Sequence, residues 1–376
     1  MGLRLQNIDK MVGRETHLKD ISLEFEPGSR NIILGRTLAG KTSLLRIMAG
    51  LDRPTSGKLF IDDLDVTGVS VRKRSIAMVY QQFINYPSLT VYKNIASPLK
   101  IAGLKRTEID QRVRKTAAIL HIDDLLDRLP TELSGGQQQR TAIARALVKE
   151  ADLLLLDEPL VNLDFKLREE LRIELQEIFT RRKAIVVYTT TEPAEALMIG
   201  GNIVVIDEGR ILQTGPVSDV YQNPATLKVA DVFSDPPINY IKGVVTADTI
   251  RLGRGIDIPL HGHLSSLKTG TYKFGVRANH LFLTRTAEAD VKIRTTVELS
   301  EINGSETFIH VNYDNSMLVV QQNGVHSHRI GEPVTLFVNP HYMLAYNEDG
   351  HLAASPSLQT ATGMNVGNVG DDHGVH

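Results

Sequence analysis

Residues 35–42 read Gly-Arg-Thr-Leu-Ala-Gly-Lys-Thr and match the pattern G-x-x-x-x-G-K-S/T, which predicts a loop that cradles phosphate groups. The run NIILG (31–35) predicts a buried strand, and KTSLLRIMAGL (41–51) has the apolar spacing of a helix. Glycines in such a loop let consecutive backbone N–H groups surround phosphate oxygens, and the helix adds its positive N-terminus. We therefore predict nucleotide binding, with Lys41 at the β- and γ-phosphates and Thr42 at Mg²⁺. The predicted nucleotide-binding residues are Gly35, Arg36, Thr37, Leu38, Ala39, Gly40, Lys41, Thr42 and Ser43.

The surrounding pattern is that of an α/β domain. The runs SIAMVY (75–80), ADLLLLDEP (151–159) and AIVVYTT (184–190) are apolar at consecutive positions, which is typical of strands covered on both faces in a parallel sheet. By contrast, LRLQNIDK (3–10) and HLKDISLEFEPG (17–28) alternate apolar and polar residues and predict antiparallel strands. Helical spacing recurs over 106–126, over 165–182 and in EPAEALMIG (192–200).

Two carboxylates lie at the end of the apolar run ADLLLLDEP (151–159). The carboxyl edge of a parallel sheet is where α/β proteins place ligand chemistry, so Asp157 is a candidate Mg²⁺ ligand. Glu158 is the candidate general base that polarises an attacking water. Such a pair can also be a simple helix cap, so its interpretation depends on the neighbouring motifs.

A second glycine step, LSGGQQQR (133–140), opens an apolar-periodic helix that continues through Leu147. Its hydroxyl and free amides make another anion site, although one phosphate loop already serves one nucleotide. Here the sequence closely resembles the ABC ATPase family, because the three motifs occur in that family's order and spacing. The resemblance implies a P-loop ATPase fold with a helical subdomain. It also implies that Ser134, Gly135, Gly136 and Gln137 act in trans, closing on ATP held by another subunit.

The resemblance assigns further positions. Gln81 matches a glutamine that contacts Mg²⁺ and the attacking water, which makes Gln81 both a catalytic and a metal-binding candidate. The segment 83–89 matches the surface that meets a permease helix, and 161–164 matches the loop that crosses the dimer interface. Family members usually begin that loop with serine, whereas this chain has Val161.

Two further positions depart from the family. Thr191 stands where a histidine usually contacts the γ-phosphate, and a threonine hydroxyl is shorter and never cationic. Val12 stands where an aromatic ring usually stacks on adenine, so it offers apolar contact without stacking. We expect either that this site hydrolyses ATP slowly and pairs with a different, fully equipped ATP-binding subunit, or that another group supplies the missing contact. The first alternative is the one we favour.

A second domain is predicted after residue 235. Residues 236–352 contain short β-rich segments punctuated by glycine, and they resemble the C-terminal regulatory β domain (OB-like, TOBE) of carbohydrate, polyol and glycerol-phosphate importer ATPases. A generic small β-barrel is the alternative. Residues 353–376 are polar, rich in small residues and predicted to be a disordered tail.

Composition limits the class of function. Lys and Arg total 42 against 44 Asp and Glu, so no net field favours nucleic acid. Cysteine is absent, the first residues lack a signal-peptide core, and no apolar run reaches the roughly 20 residues that span a bilayer. We expect a soluble chain bound peripherally to the cytoplasmic face of the inner membrane.

The predicted function is that of an ATP- and Mg²⁺-dependent subunit that energises an importer of a sugar or polyol. TTTEPAEAL (189–197) and GRTLAGKTS (35–43) particularly resemble an ATPase subunit of proteobacterial glycerol importers, so glycerol or glycerol phosphate is the preferred solute. The implied partners are integral-membrane permease subunits, a second ATP-binding subunit and, indirectly, a periplasmic solute-binding protein, with no nucleic acid. The alternatives are a soluble ABC ATPase acting on DNA or ribosomes and a nucleotide-responsive regulator without a permease.

Overall fold

The computed structural model describes residues 1–161, 163–253 and 255–356. The chain divides into two compact units, of which the first is Met1–Ile238 and the second begins at Asn239. The boundary between the ATPase domain and the β domain that the sequence places after residue 235 remains a prediction.

The first unit contains both strands and helices. Its strands are β1 Leu3–Val12, β2 Glu15–Phe25, β3 Arg30–Leu34, β4 Ser56–Ile61, β5 Leu64–Asp65, β6 Ile76–Val79, β7 Leu153–Asp157, β8 Ile185–Thr190, β9 Asn202–Asp207 and β10 Arg210–Pro216. Its helices are α1 Lys41–Ala49, α2 Val91–Ile101, α3 Arg106–Ile119, α4 Gly135–Leu147, α5 Phe165–Arg181, α6 Pro193–Ile199, α7 Val217–Gln222 and α8 Leu227–Val232.

The central sheet has the order β10-β9-β3-β8-β7-β6. β9, β3, β8, β7 and β6 are parallel, and β10 is an antiparallel edge strand. Every residue of β7 is buried, because Leu154 and Leu156 face the helical layer while Leu153 and Leu155 face the second sheet. The continuous leucine run therefore reflects two covered faces.

The second sheet has the order β2-β1-β4-β5 and is antiparallel throughout. In β1, Leu3 and Leu5 are buried while Arg4 and Gln6 are exposed, as the period-two pattern predicts. A register shift at Asn7 then makes Ile8 the next buried residue.

A short helix, α8, lies between Tyr221 and the second unit. α8 is capped by Thr226, whose hydroxyl accepts from the Val229 amide at 3.3 Å. Val229, Val232 and Phe233 are buried in the core of the first unit. The apolar residues at helical spacing make this stretch part of that core despite its prolines.

The second unit is all β and contains two sheets. Its strands are β11 Asn239–Val245, β12 Thr249–Leu252, β13 Ile256–Pro259, β14 Gly270–Val276, β15 Leu281–Phe282, β16 Val291–Asn303, β17 Glu306–Tyr313, β18 Ser316–Asn323, β19 Pro333–Val338, β20 Leu344–Tyr346 and β21 Leu352–Ala354. The sheet orders are β13-β12-β11-β14-β20-β21 and β15-β19-β16-β17-β18. Ile241 and Phe274 of one sheet share a hydrophobic core with Ile293 and Val311 of the other.

The first two residues of the predicted tail, 353 and 354, belong to a strand. β21 includes residues 353 and 354, which were assigned to the tail, because they pair with β20 and bury Ala354. Residues 357–376 of the predicted tail lie outside the described residues. Within the described ranges, no helix has the length and apolar character needed to cross a membrane.

Candidate nucleotide site

The phosphate loop connects β3 to α1, as the sequence predicts. At its start the Gly35 amide donates to the Thr190 carbonyl at 3.3 Å, so the loop leaves the sheet beside β8. At its end Gly40 caps α1 with a φ of +103°. A Cβ at this position would lie 2.6 Å from the His17 carbonyl oxygen, so both the backbone angle and the close approach of β2 require glycine.

The remaining loop residues differ in exposure. Arg36, Thr37 and Leu38 are exposed, with Leu38 96% accessible at a φ of +67°, whereas Ala39 is buried. The Ser43 hydroxyl lies 3.0 Å from the Nδ1 atom of His17. The loop therefore presents its middle to solvent and is anchored at the α1 end.

Lys41 lies at the centre of the site and is only 4% exposed. Its Nζ donates to the carbonyls of Gly35 at 2.8 Å and Arg36 at 3.0 Å, and lies 2.9 Å from Oε1 of Glu158. The ammonium group is thus held above the loop, with its charge balanced by the predicted general base.

Asp157 ends β7 and is 2% exposed. Its Oδ1 accepts hydrogen bonds from the hydroxyls of Thr42 at 3.2 Å and Thr189 at 3.0 Å. Burial raises the pKa of Asp157, although these two hydrogen bonds act in the opposite direction. A carboxylate and a hydroxyl converge here, and oxygen ligands of this kind suit Mg²⁺.

Glu158 is held on three sides. Its Oε1 pairs with Lys41, its Oε2 accepts from Gln81 Nε2 at 3.2 Å, and its amide donates to the Thr189 hydroxyl at 2.9 Å. The backbone φ of Glu158 is +43°, which is unusual for a residue other than glycine. Lys41, Gln81, Asp157 and Glu158 come from distant parts of the chain and lie close together here, while their roles remain predictions.

The sequence reasoning did not single out Thr189 and Thr190. Thr189 bridges Asp157 and Glu158, as described above. The Thr190 hydroxyl donates to Oε2 of Glu195 at 2.7 Å and accepts from the Glu192 amide at 2.9 Å. The Tyr188 hydroxyl donates to the same Glu195 oxygen at 2.9 Å. Three consecutive threonines at the end of a buried strand were the available signal.

The environment of Glu195 is unusual for a carboxyl group. The residue is 4% exposed, and burial raises its pKa. Burial and the neighbouring carboxylate likewise raise the pKa of the Tyr188 phenol well above its usual range. The first turn of α6 is thus anchored to β8 by a buried hydrogen-bonded group.

Thr191 follows β8 directly and is half-buried. β8 runs between β3 and β7, with Thr190 beside Leu34 and Thr189 beside Asp157. The segment carrying Thr191 therefore begins at the sheet edge from which the phosphate loop and Glu158 also extend.

Val12 is 49% exposed at the end of β1, where it pairs with Glu15 of β2. His17 lies two residues further along β2 and contacts the start of α1. The structure thus places Val12 on the hairpin next to the phosphate loop, and its contact with adenine remains a prediction.

The signature residues form a helix start. The Ser134 hydroxyl accepts from the Gln137 amide at 3.3 Å, and Gln137 Oε1 accepts from the Ser134 amide at 3.0 Å, which is a capping box for α4. Gly136 packs against α5, since a Cβ there would lie 1.8 Å from Leu167 Cδ2, whereas a Cβ at Gly135 would meet no atom within 4 Å. Among the described contacts, no hydrogen bond or ion pair joins 134–137 to the phosphate loop.

The two predicted contact loops are partly described. In 83–89, Asn85 Nδ2 donates to the Gln138 carbonyl at 2.8 Å and the Tyr86 amide donates to Asn94 Oδ1 at 2.8 Å, which anchors this segment to α4 and α2. Asn162 of the loop 161–164 lies outside the described residues.

Comparison with known proteins identifies the family of this chain. A family model described as ABC transporter matches residues 18–161, and a model described as TOBE domain matches residues 274–345. The chain is 38% identical over 327 residues to the sn-glycerol-3-phosphate import ATP-binding protein UgpC of Salmonella typhi, covering 85% of this chain and 90% of that protein. It is also 38% identical to the trehalose/maltose import ATP-binding protein MalK of Thermococcus litoralis, covering 82% and 88%.

A solved structure gives the same picture for the first unit. The ATP-binding cassette MJ0796, solved as a dimer in a post-hydrolysis state bound to ADP and Pi, superposes with a TM-score of 0.52 at 28% identity. The match covers 57% of this chain and 98% of that chain. The chain therefore belongs to the ABC transporter family, as one of its ATP-binding subunits. It is an ATPase built from an ABC ATPase domain followed by an all-β TOBE domain.

Proposed function

We propose that this chain hydrolyses ATP at the site around Lys41, Asp157 and Glu158, and that hydrolysis drives import of a sugar or polyol through membrane permease subunits. The observation that carries the proposal is that Lys41 pairs with one carboxylate oxygen of Glu158 while Gln81 donates a hydrogen bond to the other. The relatives named for sn-glycerol-3-phosphate and for trehalose/maltose import support the solute class. Among these, a glycerol-type solute is our preferred candidate.

Each residue has a separate role in the proposed reaction. The backbone of 35–42 and the N-terminus of α1 bind the phosphates. Lys41 exchanges its contact with Glu158 for the β- and γ-phosphates, which frees one carboxylate oxygen to accept a proton from water. Gln81 keeps the other oxygen in place. Mg²⁺ would be held by Thr42 and Asp157, with Gln81, and it neutralises charge on the β- and γ-phosphate oxygens when bound.

The signature residues are proposed to act on a second subunit. Gly135 has open space around its Cα, and Ser134 caps the helix beside it, which supports a surface that receives phosphate from another chain. Neither the family match nor the relatives supports the expected pairing with a different ATP-binding subunit, so we propose two copies of this chain. The alternative, a different ATP-binding subunit, is favoured only by the threonine at position 191, where the family usually has histidine.

The permease contact is proposed for the segment 83–89. Ile84 is 54% and Tyr86 47% exposed, while the backbone of this segment is anchored to α4 and α2. An apolar surface on an anchored segment, next to Gln81 in sequence, could transmit helix movements to the nucleotide site. This contact would hold the chain at the cytoplasmic face of the membrane.

The test is single-turnover ATP hydrolysis by the assembled transporter. We expect Glu158→Gln to lower the rate by about 100-fold or more, because a general base contributes on the order of 10²–10⁴. Glu177→Gln is the matched control, since Glu177 is 65% exposed on α5. Thr191→His should raise the rate or leave it unchanged.

Either outcome separates the alternatives. Wild-type turnover in Glu158→Gln would place hydrolysis in a different ATP-binding subunit and contradict the proposal. The solute is tested by reconstituting the transporter in vesicles and comparing uptake of sn-glycerol 3-phosphate, glycerol and maltose.

A further inference from the structure

Arg168 lies in the first turn of α5 and contacts two segments. Its Nη1 forms an ion pair with Oε1 of Glu192, and its Nη2 donates to the Leu163 carbonyl at 3.4 Å. The side chain is only 22% exposed, and its Nε has no partner among the described residues although it is buried. The guanidinium group is planar and presents its donors in a rigid arrangement, so these contacts fix its orientation.

Glu192 occupies an unusual place for this contact. It is the N-cap of α6, yet its side chain makes no cap hydrogen bond and pairs with Arg168 instead. Its amide is held by the Thr190 hydroxyl, which is itself bonded to the buried Glu195. Thr191 is therefore fixed on both sides, through Thr190 on one and through Glu192 on the other.

The first turn of α5 also supports the signature. A Cβ on Gly136 would meet Leu167 Cδ2 at 1.8 Å and Leu163 Cδ2 at 3.5 Å, so both leucines pack directly beneath it. Arg168 follows Leu167 in the chain and bonds the carbonyl of Leu163. One short segment thus contacts the signature on one side and the residue after Thr191 on the other.

We propose that Arg168 is a positioning residue for ATP hydrolysis, which ties Glu192, and with it Thr191, to the segment that packs beneath the signature Gly136. This inference rests on the proposed hydrolysis at this chain's own site. Without the ion pair, the turn after β8 keeps the hydrogen bond between Thr190 and Glu195. It loses the contact between Glu192 and Arg168, which orients Thr191. Phosphate binding at 35–42 does not depend on this contact.

The experiment compares Arg168→Ala, Arg168→Lys and the exchanged pair Arg168→Glu with Glu192→Arg in the assembled transporter. Arg168→Ala should lower kcat roughly tenfold, since a misplacement of about 1 Å can cost up to about 100-fold. The KM for ATP and the affinity of the chain for ATP should stay within about twofold, because the loss falls on a step after binding. Arg168→Lys keeps the charge without the fork and should be intermediate.

The exchanged pair and a matched control complete the test. Arg168→Glu with Glu192→Arg restores the ion pair without the bond to the Leu163 carbonyl, so it should recover part of kcat. A lower kcat in Arg168→Ala with an unchanged unfolding temperature is the result that a purely structural role would not predict. Arg181→Ala is the control, because Arg181 pairs with Glu177 on the same helix in an ion pair that is 81% and 65% exposed. It should keep wild-type turnover.

Two results would overturn the inference. One is wild-type kcat in Arg168→Ala when Glu158→Gln abolishes turnover. The other is a parallel fall in kcat, ATP affinity and unfolding temperature that the exchanged pair does not restore. Unchanged turnover in Glu158→Gln would instead overturn the proposed own-site hydrolysis, and this inference with it.

Discussion

The two adjacent glycines of the signature should respond in opposite ways to the same added methyl group. A Cβ on Gly136 would overlap Leu167 Cδ2 at 1.8 Å and approach Leu167 Cγ at 3.1 Å. A Cβ on Gly135 would have no neighbour within 4 Å. Both positions lie in the first turn of α4, so their helix preference is closely similar.

The magnitudes follow from these contacts. Leu167 is partly buried against the core of the first unit, so it has little room to move when Gly136→Ala is introduced. Overpacking of this kind costs about 1–3 kcal/mol, which lowers the unfolding temperature of a unit of this size by about 2–12 °C. Gly135→Ala restricts only the unfolded chain and should stabilise by about 0.4–1 kcal/mol, or about 1–4 °C.

Thermal unfolding followed by circular dichroism measures both variants, with single-turnover hydrolysis as the second readout. If Gly135 receives phosphate from a second subunit, Gly135→Ala should lose turnover while it gains stability. Equal unfolding temperatures in the two variants would contradict the packing argument. Wild-type turnover in Gly135→Ala would contradict the proposed action in trans.

Three further predictions concern the site and its supports. Burial raises the pKa of Asp157, so its ionised form weakens the fold at neutral pH. Asp157→Asn should therefore raise the unfolding temperature at pH 7, and this gain should vanish as the pH falls through the pKa of Asp157; a gain that persists in acid would contradict the assignment. Tyr188→Phe removes a donor from the buried Glu195 and should lower the unfolding free energy by about 1.5–3 kcal/mol in urea titrations, whereas an unchanged midpoint would show that the bond contributes nothing. Gly40→Ala places a Cβ 2.6 Å from the His17 carbonyl oxygen at a φ of +103°, so ATP affinity measured by calorimetry should fall at least tenfold, and wild-type affinity would show that the loop tolerates the change.

Local patterns were sufficient for much of the fold. The leucine run of β7 predicted a strand covered on both faces, and the structure buries all five of its residues. The helix predicted to open at the glycine step 133–140 and to continue through Leu147 is observed as α4, because a serine hydroxyl at a helix start and apolar spacing are local signals. The helix α8 was not predicted, since prolines on both sides of it obscured its apolar spacing.

The network around the site could not be predicted locally. Thr189 lies over 30 residues from Asp157 in sequence, and their hydrogen bond exists only because β8 pairs with β7 in parallel register. Glu195 is an acidic residue near the start of a short helix, and nothing in the sequence indicates that its carboxyl group is buried against Tyr188. Likewise, the pairing of Arg168 with Glu192 depends on how α5 packs beside the segment after β8.

The sequence by itself determined the phosphate loop, the Asp157–Glu158 pair, the signature helix and the order of two domains, because each is encoded by residue types at short spacing. Only the tertiary structure decided which of these groups meet. Parallel pairing of β3, β8 and β7 brings their carboxyl ends to one edge of the sheet. There Lys41 contacts Glu158, and Thr42 donates a hydrogen bond to Asp157. The signature has no such contact among the described residues, which is why we propose that it acts on a second subunit.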